Sequence, residues 1–190
     1  RGRLPCRHRG RTVPRGGRTV RPTMRIHLVR HSEAVDRVPS MPDAARYLNA
    51  RGRVSFREMA RRFRDAGGDP TRILTSPFVR AVQTAEILSE TLRYDGEVVL
   101  DPRLSPGFDI VKLNAVLDGF PGHKEIAFVG HEPDLGDILA RLLSLPQGYA
   151  MRKGAIAALD LTIGGDPLRA RLVWLLSGDR RIEDPAMLVR

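Results

Sequence analysis

The 190-residue chain has one cysteine, Cys6, so no internal disulfide is available and a stapled secreted scaffold is excluded. No apolar run approaches the roughly 18 residues that span a bilayer, which excludes an integral helical membrane protein. Residues 1–23 contain no acid, yet they hold eight arginines. Subtracting those eight from the formal net charge of +10 leaves only +2 for residues 24–190. The body of the protein is nearly neutral, which weakens a nucleic-acid reading of the whole chain. Its composition, 42% hydrophobic and 28% charged, excludes wholesale disorder and fits one globular domain. A cytoplasmic monomer is the default expectation.

The basic stretch carries Gly2, Gly10, Gly16, Gly17, Pro5, Pro14 and Pro22 with scattered apolar residues. It cannot bury enough surface to offset the entropy of ordering, so it reads as a disordered extension, residues 1–23. Three accounts stay open: non-native sequence ahead of a start at Met24, an arm for nucleic acid or an acidic surface, or a targeting peptide.

From Met24 onward, short apolar runs alternate with helix-like segments. This predicts a single α/β domain over residues 24–190, three layers deep, with a largely parallel sheet between helices. Strands are expected at 26–29, 73–75, 98–100 (an edge), 126–129 (a central strand buried on both faces), 155–163 and 172–176. Helices are expected over 54–66, with Phe56, Met59, Ala60 and Phe63 on one face, and over 78–92, 110–117 and 135–143. Ser76 is expected to cap the second helix and Pro77 to take its first position.

Three segments share one layout, an apolar strand followed by a chemically capable residue at its carboxyl end. They are Arg30-His31, Arg80 and His131. In open parallel sheets ligands bind outside the carboxyl ends of strands, so two histidines and two arginines are expected to meet at one rim. Arginine's planar fork grips phosphoryl oxygens bidentately. A neutral imidazole can attack phosphorus and form a phosphohistidine. A second histidine can donate to an equatorial oxygen as charge develops there.

These residues resemble the signatures of the histidine phosphatase superfamily, which includes the phosphoglycerate mutases. Leu28-Val29-Arg30-His31-Ser32-Glu33-Ala34 resembles its Arg-His-Gly motif, and Ser76-Pro77-Phe78-Val79-Arg80-Ala81-Val82-Gln83-Thr84 its Ser-Pro-x-x-Arg-Ala-x-Gln-Thr motif. Val129-Gly130-His131-Glu132-Pro133 resembles the segment that supplies the second histidine. Leu48-Asn49-Ala50-Arg51-Gly52 and Lys153-Gly154-Ala155 resemble stretches of the small SixA-type phosphohistidine phosphatases. The resemblance implies a phosphoglycerate mutase-like fold; no cofactor is expected, and no metal either, since the histidines lack compact ligand spacing and no cysteine cluster accompanies them. It implies His31 as nucleophile, Arg30 and Arg80 as phosphate clamps, and His131 as transition-state donor, all four binding phosphate.

Two departures from the family pattern bear on substrate. Ser32 stands where the signature has glycine, which is tolerable unless φ is positive. Phosphoglycerate-mutase-type members carry a glutamate after Arg-Leu-x; here Arg103-Leu104-Ser105 is followed by Pro106, which cannot protonate a leaving group. An alkoxide gains about 10²–10⁴-fold from a general acid, whereas a departing imidazole needs much less help. The expected substrate is therefore a phosphohistidine-bearing protein. A small phosphate ester on the same catalytic core is the alternative. A phosphate- or nucleic-acid-binding module working through the tail is an alternative of another class.

Glu33 and Asp109 are candidate replacement acids, and Lys153 and Arg152 candidate contacts to a substrate protein. His27 and Trp174 are expected in the core, His123 in a solvated loop, and Asp134 and Asp137 in the first turn of a helix, where negative charge is favoured.

Overall fold

The computed structural model describes residues 23–165 and 167–189. The basic extension, with Cys6 and His8, lies outside the described residues up to position 22. Thr23, assigned to that extension from sequence, is instead the first residue of a strand, because it pairs with Thr162.

Seven strands form one sheet: β1 Thr23–Arg30, β2 Arg72–Thr75, β3 Val98–Leu100, β4 Glu125–Gly130, β5 Ile156–Thr162, β6 Arg169–Ser177 and β7 Arg180–Ile182. Their order is β3-β2-β4-β1-β5-β6-β7. The first four in that order run parallel, and β5, β6 and β7 add antiparallel pairings. The sheet is thus mixed around a parallel core. β7 was not foreseen, since Arg180, Arg181 and Ile182 carry no apolar alternation and are held by pairing to β6.

The helices are α1 Ala50–Asp65, α2 Val79–Leu92, α3 Ile110–Leu117 and α4 Asp134–Leu143. Strand alternation divides the core between the two faces of the sheet. Ile26, Leu28, Ile126 and Phe128 pack with α3 and α4 residues such as Leu113, Val116, Leu135 and Leu139. Val29, Ile73, Ala127 and Val129 face the other way, onto Phe56, Phe63, Ala81 and Leu88 of α1 and α2. The expected stripe of Phe56, Met59, Ala60 and Phe63 is buried, and each such aromatic contributes roughly 1.5–3 kcal/mol by leaving water.

Two helix starts differ from expectation. α1 begins a turn earlier, because the Asn49 side chain accepts the Gly52 N–H at 2.7 Å and caps it. α2 starts at Val79, with Phe78 as its cap residue and no side-chain cap bond. Ser76 is not the cap; it stands two residues before the cap position, where its Oγ accepts the Phe78 N–H at 3.3 Å, and Pro77 accordingly precedes the helix instead of taking its first position.

His27 and Trp174 sit in the core as expected, with His27 between the Phe63 and Trp174 rings and its Nε2 2.6 Å from Glu125 Oε1. His123 lies in a loop, 3.1 Å from Thr71 Oγ1 through Nδ1.

Candidate active site

β1, β2 and β4 are adjacent and parallel, so their carboxyl ends open on one rim. The ladder continues one residue past each strand. His31 N–H donates to Gly130 O and Ser76 N–H to Val129 O, each at 3.0 Å. On the β5 side, Gly154 N–H donates to His31 O at 3.2 Å. The backbone that carries His31 is therefore fixed from both neighbours.

His31, Arg80 and His131 converge there, with exposures of 9%, 5% and 3%. The two imidazole centroids are 5.2 Å apart. His31 Nδ1 lies 2.7 Å from Ser32 O, and Arg80 donates Nε–H to His31 Nε2 at 3.2 Å. A carbonyl only accepts and a guanidinium only donates. Those two contacts fix the tautomer, with the proton on Nδ1 and the lone pair on Nε2. Burial, the largest effect, lowers the His31 pKa to about 4; the Ser32 carbonyl opposes it, and the Arg80 and Arg30 charges add smaller pushes downward. The ring is neutral at pH 7.

His131 Nε2 lies 2.8 Å from Ser76 Oγ, and the Phe78 ring meets the imidazole edge-on at 5.0 Å. Its buried Nδ1 has no hydrogen-bond partner among the described residues. Burial, with His31 and Arg80 beside it, lowers its pKa to about 3. Phe78 also carries the Arg80 guanidinium 5.0 Å above its ring.

Arg30 is half-buried and donates Nη1–H to Met151 O, while its buried Nε has no partner among the described residues. All four expected site residues thus stand at the rim.

The remaining candidates scatter. Glu33 is half-exposed and faces Arg51 at 3.7 Å. Asp109 is engaged as the cap of α3, accepting Lys112 N–H at 2.9 Å. Lys153 is exposed beside a cavity of about 340 Å³ that Ser32, Ser55, Met59 and Arg62 also line. Asp134 and Asp137 lie in the first turn of α4, and Asp134 also accepts Gly107 N–H at 2.7 Å, tying the loop that bears Pro106 to the rim. Ser32 turns its Oγ to Gly52 O at 2.9 Å, and its φ is not positive. The departure from glycine is absorbed without strain.

Three rim residues escaped the sequence reading. Asp43 accepts from Arg80 Nη2 at 3.0 Å, Arg46 Nη1 at 2.9 Å and Arg37 Nε at 3.1 Å. Those partners, Arg46 foremost, hold its carboxyl at a pKa of about 2 despite opposing desolvation. Ser76 was seen only as a cap. Glu132, quoted within a motif, was given no role, yet burial raises its pKa to about 7. The Asp43-x-x-Arg46 spacing was the available signal for the first; nothing local distinguishes the other two.

The family model described as histidine phosphatase superfamily (branch 1) matches residues 26–105. An uncharacterized protein of Picosynechococcus sp. is 37% identical over 150 residues, spanning 77% of this chain and 90% of its own. The phosphohistidine phosphatase SixA of Escherichia coli (strain K12) is 27% identical over 145 residues, 75% of this chain and 89% of its own. The solved structure of the protein histidine phosphatase SixA complexed with tungstate superposes with a TM-score of 0.73 at 27% identity, covering 82% of this chain and 97% of that one. With two imidazoles and an arginine meeting at the rim of such a sheet, the chain belongs to branch 1 of the histidine phosphatase superfamily and is a phosphatase of that family.

Proposed function

We propose that this phosphatase removes the phosphoryl group from phosphohistidine on proteins, by way of a covalent phosphohistidine on His31. One observation carries the mechanism. His31 is neutral and holds its proton on Nδ1, against Ser32 O, so the lone pair at Nε2 faces Arg80. That lone pair attacks phosphorus as the N–P bond of the substrate breaks, and the departing imidazole takes a proton from water. Water then attacks the phosphoryl group on His31, that N–P bond breaks, and orthophosphate leaves.

Arg30 and Arg80 grip the phosphoryl oxygens through the transfer. His131 donates to an equatorial oxygen through Nδ1, the ring atom with no partner among the described residues, once it takes up a proton beside the arriving dianion. Ser76 fixes the orientation of that ring from the other nitrogen.

The choice of substrate is supported by Pro106, which is exposed and carries no proton to give, and by the engagement of Asp109 as a helix cap. It is supported also by the short segment between β3 and β4. Its one α-helix, α3, has eight residues and packs Leu113, Val116 and Leu117 into the core. A histidine displayed on another protein's surface can reach such a rim. The SixA relatives act on the same class by their names. The deciding experiment compares turnover of a phosphohistidine protein with that of sugar phosphates and aryl phosphates. Preference for phosphohistidine by orders of magnitude is expected; the reverse order overturns the substrate assignment.

A further inference from the structure

Glu132 is a buried carboxyl that the mechanism above does not use. It follows His131 directly and folds back over the first turn of α4. Its Oε1 is seated against Gly136, where a Cβ would fall 2.3 Å from that oxygen and 2.0 Å from Tyr149 O. Only glycine leaves room for the carboxyl there. The Met151 N–H donates to the carboxyl, and Oε2 is buried with no hydrogen-bond partner among the described residues. The Met151 carbonyl accepts from Arg30 Nη1, so one peptide residue ties Glu132 to the phosphate clamp. Arg30 Nε is likewise buried and, among the described residues, unpartnered. An acid and a base stand close enough to feel each other's charge, each with one polar atom unsatisfied.

We propose that Glu132 is a positioning residue for Arg30, holding the guanidinium through the Met151 peptide and setting, by gaining or losing a proton, how much of its positive charge the substrate dianion meets. The inference rests on the reading of Arg30 as a phosphate clamp. With Glu132 protonated, Arg30 acts on the phosphoryl oxygens unopposed. With Glu132 ionised, a second negative charge opposes the dianion and part of the clamp is neutralised. The charged groups that act on Glu132 are Arg30 at the end of β1 and Asp134 and Asp137 on α4, and Glu132 in turn helps push up the phenol of Tyr149 in the loop before β5. The two aspartates and Arg30 act in opposite senses, while burial favours the neutral acid and places its titration near neutrality. A bound dianion raises that midpoint, so binding takes up a proton.

Tungstate tests this, since it remains a dianion across the neutral range. Its affinity for the wild-type protein should fall about tenfold between roughly pH 6.5 and 8.5, the effect of one pKa unit of coupling. Glu132→Gln keeps the shape and an acceptor for Met151 N–H, and its affinity should lose that slope and stay high at alkaline pH. A wild-type slope retained in E132Q overturns the proposal. Should E132Q fold poorly, the carboxyl carbon of Glu132 can be followed by NMR in the wild-type protein. Its titration midpoint should rise on adding tungstate, and an unmoved midpoint overturns the proposal. Failure of the clamp reading is seen separately, as tungstate affinity unchanged in Arg30→Ala.

Discussion

Arg80 donates Nε–H to Nε2 of His31 across 3.2 Å, so the proposed clamp and the proposed nucleophile are joined before any substrate arrives. Its other guanidinium nitrogens are held by Asp43, at 2.6 Å to the carbonyl and 3.0 Å to the carboxylate. The fork is thereby fixed in orientation, and the phosphoryl group must compete with Asp43 for it.

Removal of Arg80 should therefore weaken anion binding strongly. Charge-assisted hydrogen bonds are worth about 1.5–3 kcal/mol, so Arg80→Ala is expected to raise the tungstate Kd roughly 10- to 100-fold. Calorimetric titration measures this. An unchanged Kd removes Arg80 from the binding site.

Ser76 bears on turnover more than on binding. Its hydroxyl is the only group within hydrogen-bond distance of the His131 Nε2 among the described residues. Ser76→Ala should lower kcat about tenfold with little change in KM, the cost of one oriented hydrogen bond felt in the transition state. Steady-state kinetics decide it, and an unaltered kcat contradicts the assignment.

Much of this site was legible in the sequence, and the reason is local. Each of Arg30, His31, Arg80 and His131 stands at or just past the end of an apolar run. A parallel sheet carries all such ends to one side. Asp43, Ser76 and Glu132 matter through contacts made across the chain: with Arg80 37 residues away, His131 55 residues away, and the Met151–Arg30 pair. Neither periodicity nor capping rules register such contacts. The early start of α1 is different, because Asn49 preceding Ala50 was a readable cap that the apolar stripe, starting only at Phe56, concealed.

The two buried histidines of the rim, His31 and His131, tie folding to pH. Their folded values, about 4 for His31 and about 3 for His131, lie below the ordinary 6.5. Between those values the unfolded chain binds more protons, so stability rises with pH there. The stabilising effect of neutral burial is present above about pH 6.5 and is lost as pH falls toward the folded values. At about pH 5 each histidine forfeits on the order of 2 kcal/mol. Glu132 titrates in the opposite sense, so variants are compared with the wild type. His31→Gln should show a shallower loss of denaturation midpoint between about pH 7.5 and 5. An equal loss in both proteins contradicts the buried neutral ring.

Gly52 seats α1 against the segment after His31. A Cβ there would fall 2.0 Å from the Glu33 carbonyl oxygen, which also receives the Asn49 N–H at 3.1 Å. Gly52→Ala is expected to cost about 1–3 kcal/mol through overpacking against backbone that cannot retreat. Thermal melting measures it, and a melting temperature equal to wild type refutes the tight seam.

The most direct test of the whole account is capture of the phosphorylated enzyme. The protein is mixed with a radiolabelled phosphohistidine protein, quenched in alkali to preserve N–P bonds, digested and mapped by mass spectrometry. The account predicts label on His31 alone, absent from His31→Ala and longer-lived in His131→Ala. Label on any other residue, or turnover retained by His31→Ala, contradicts it.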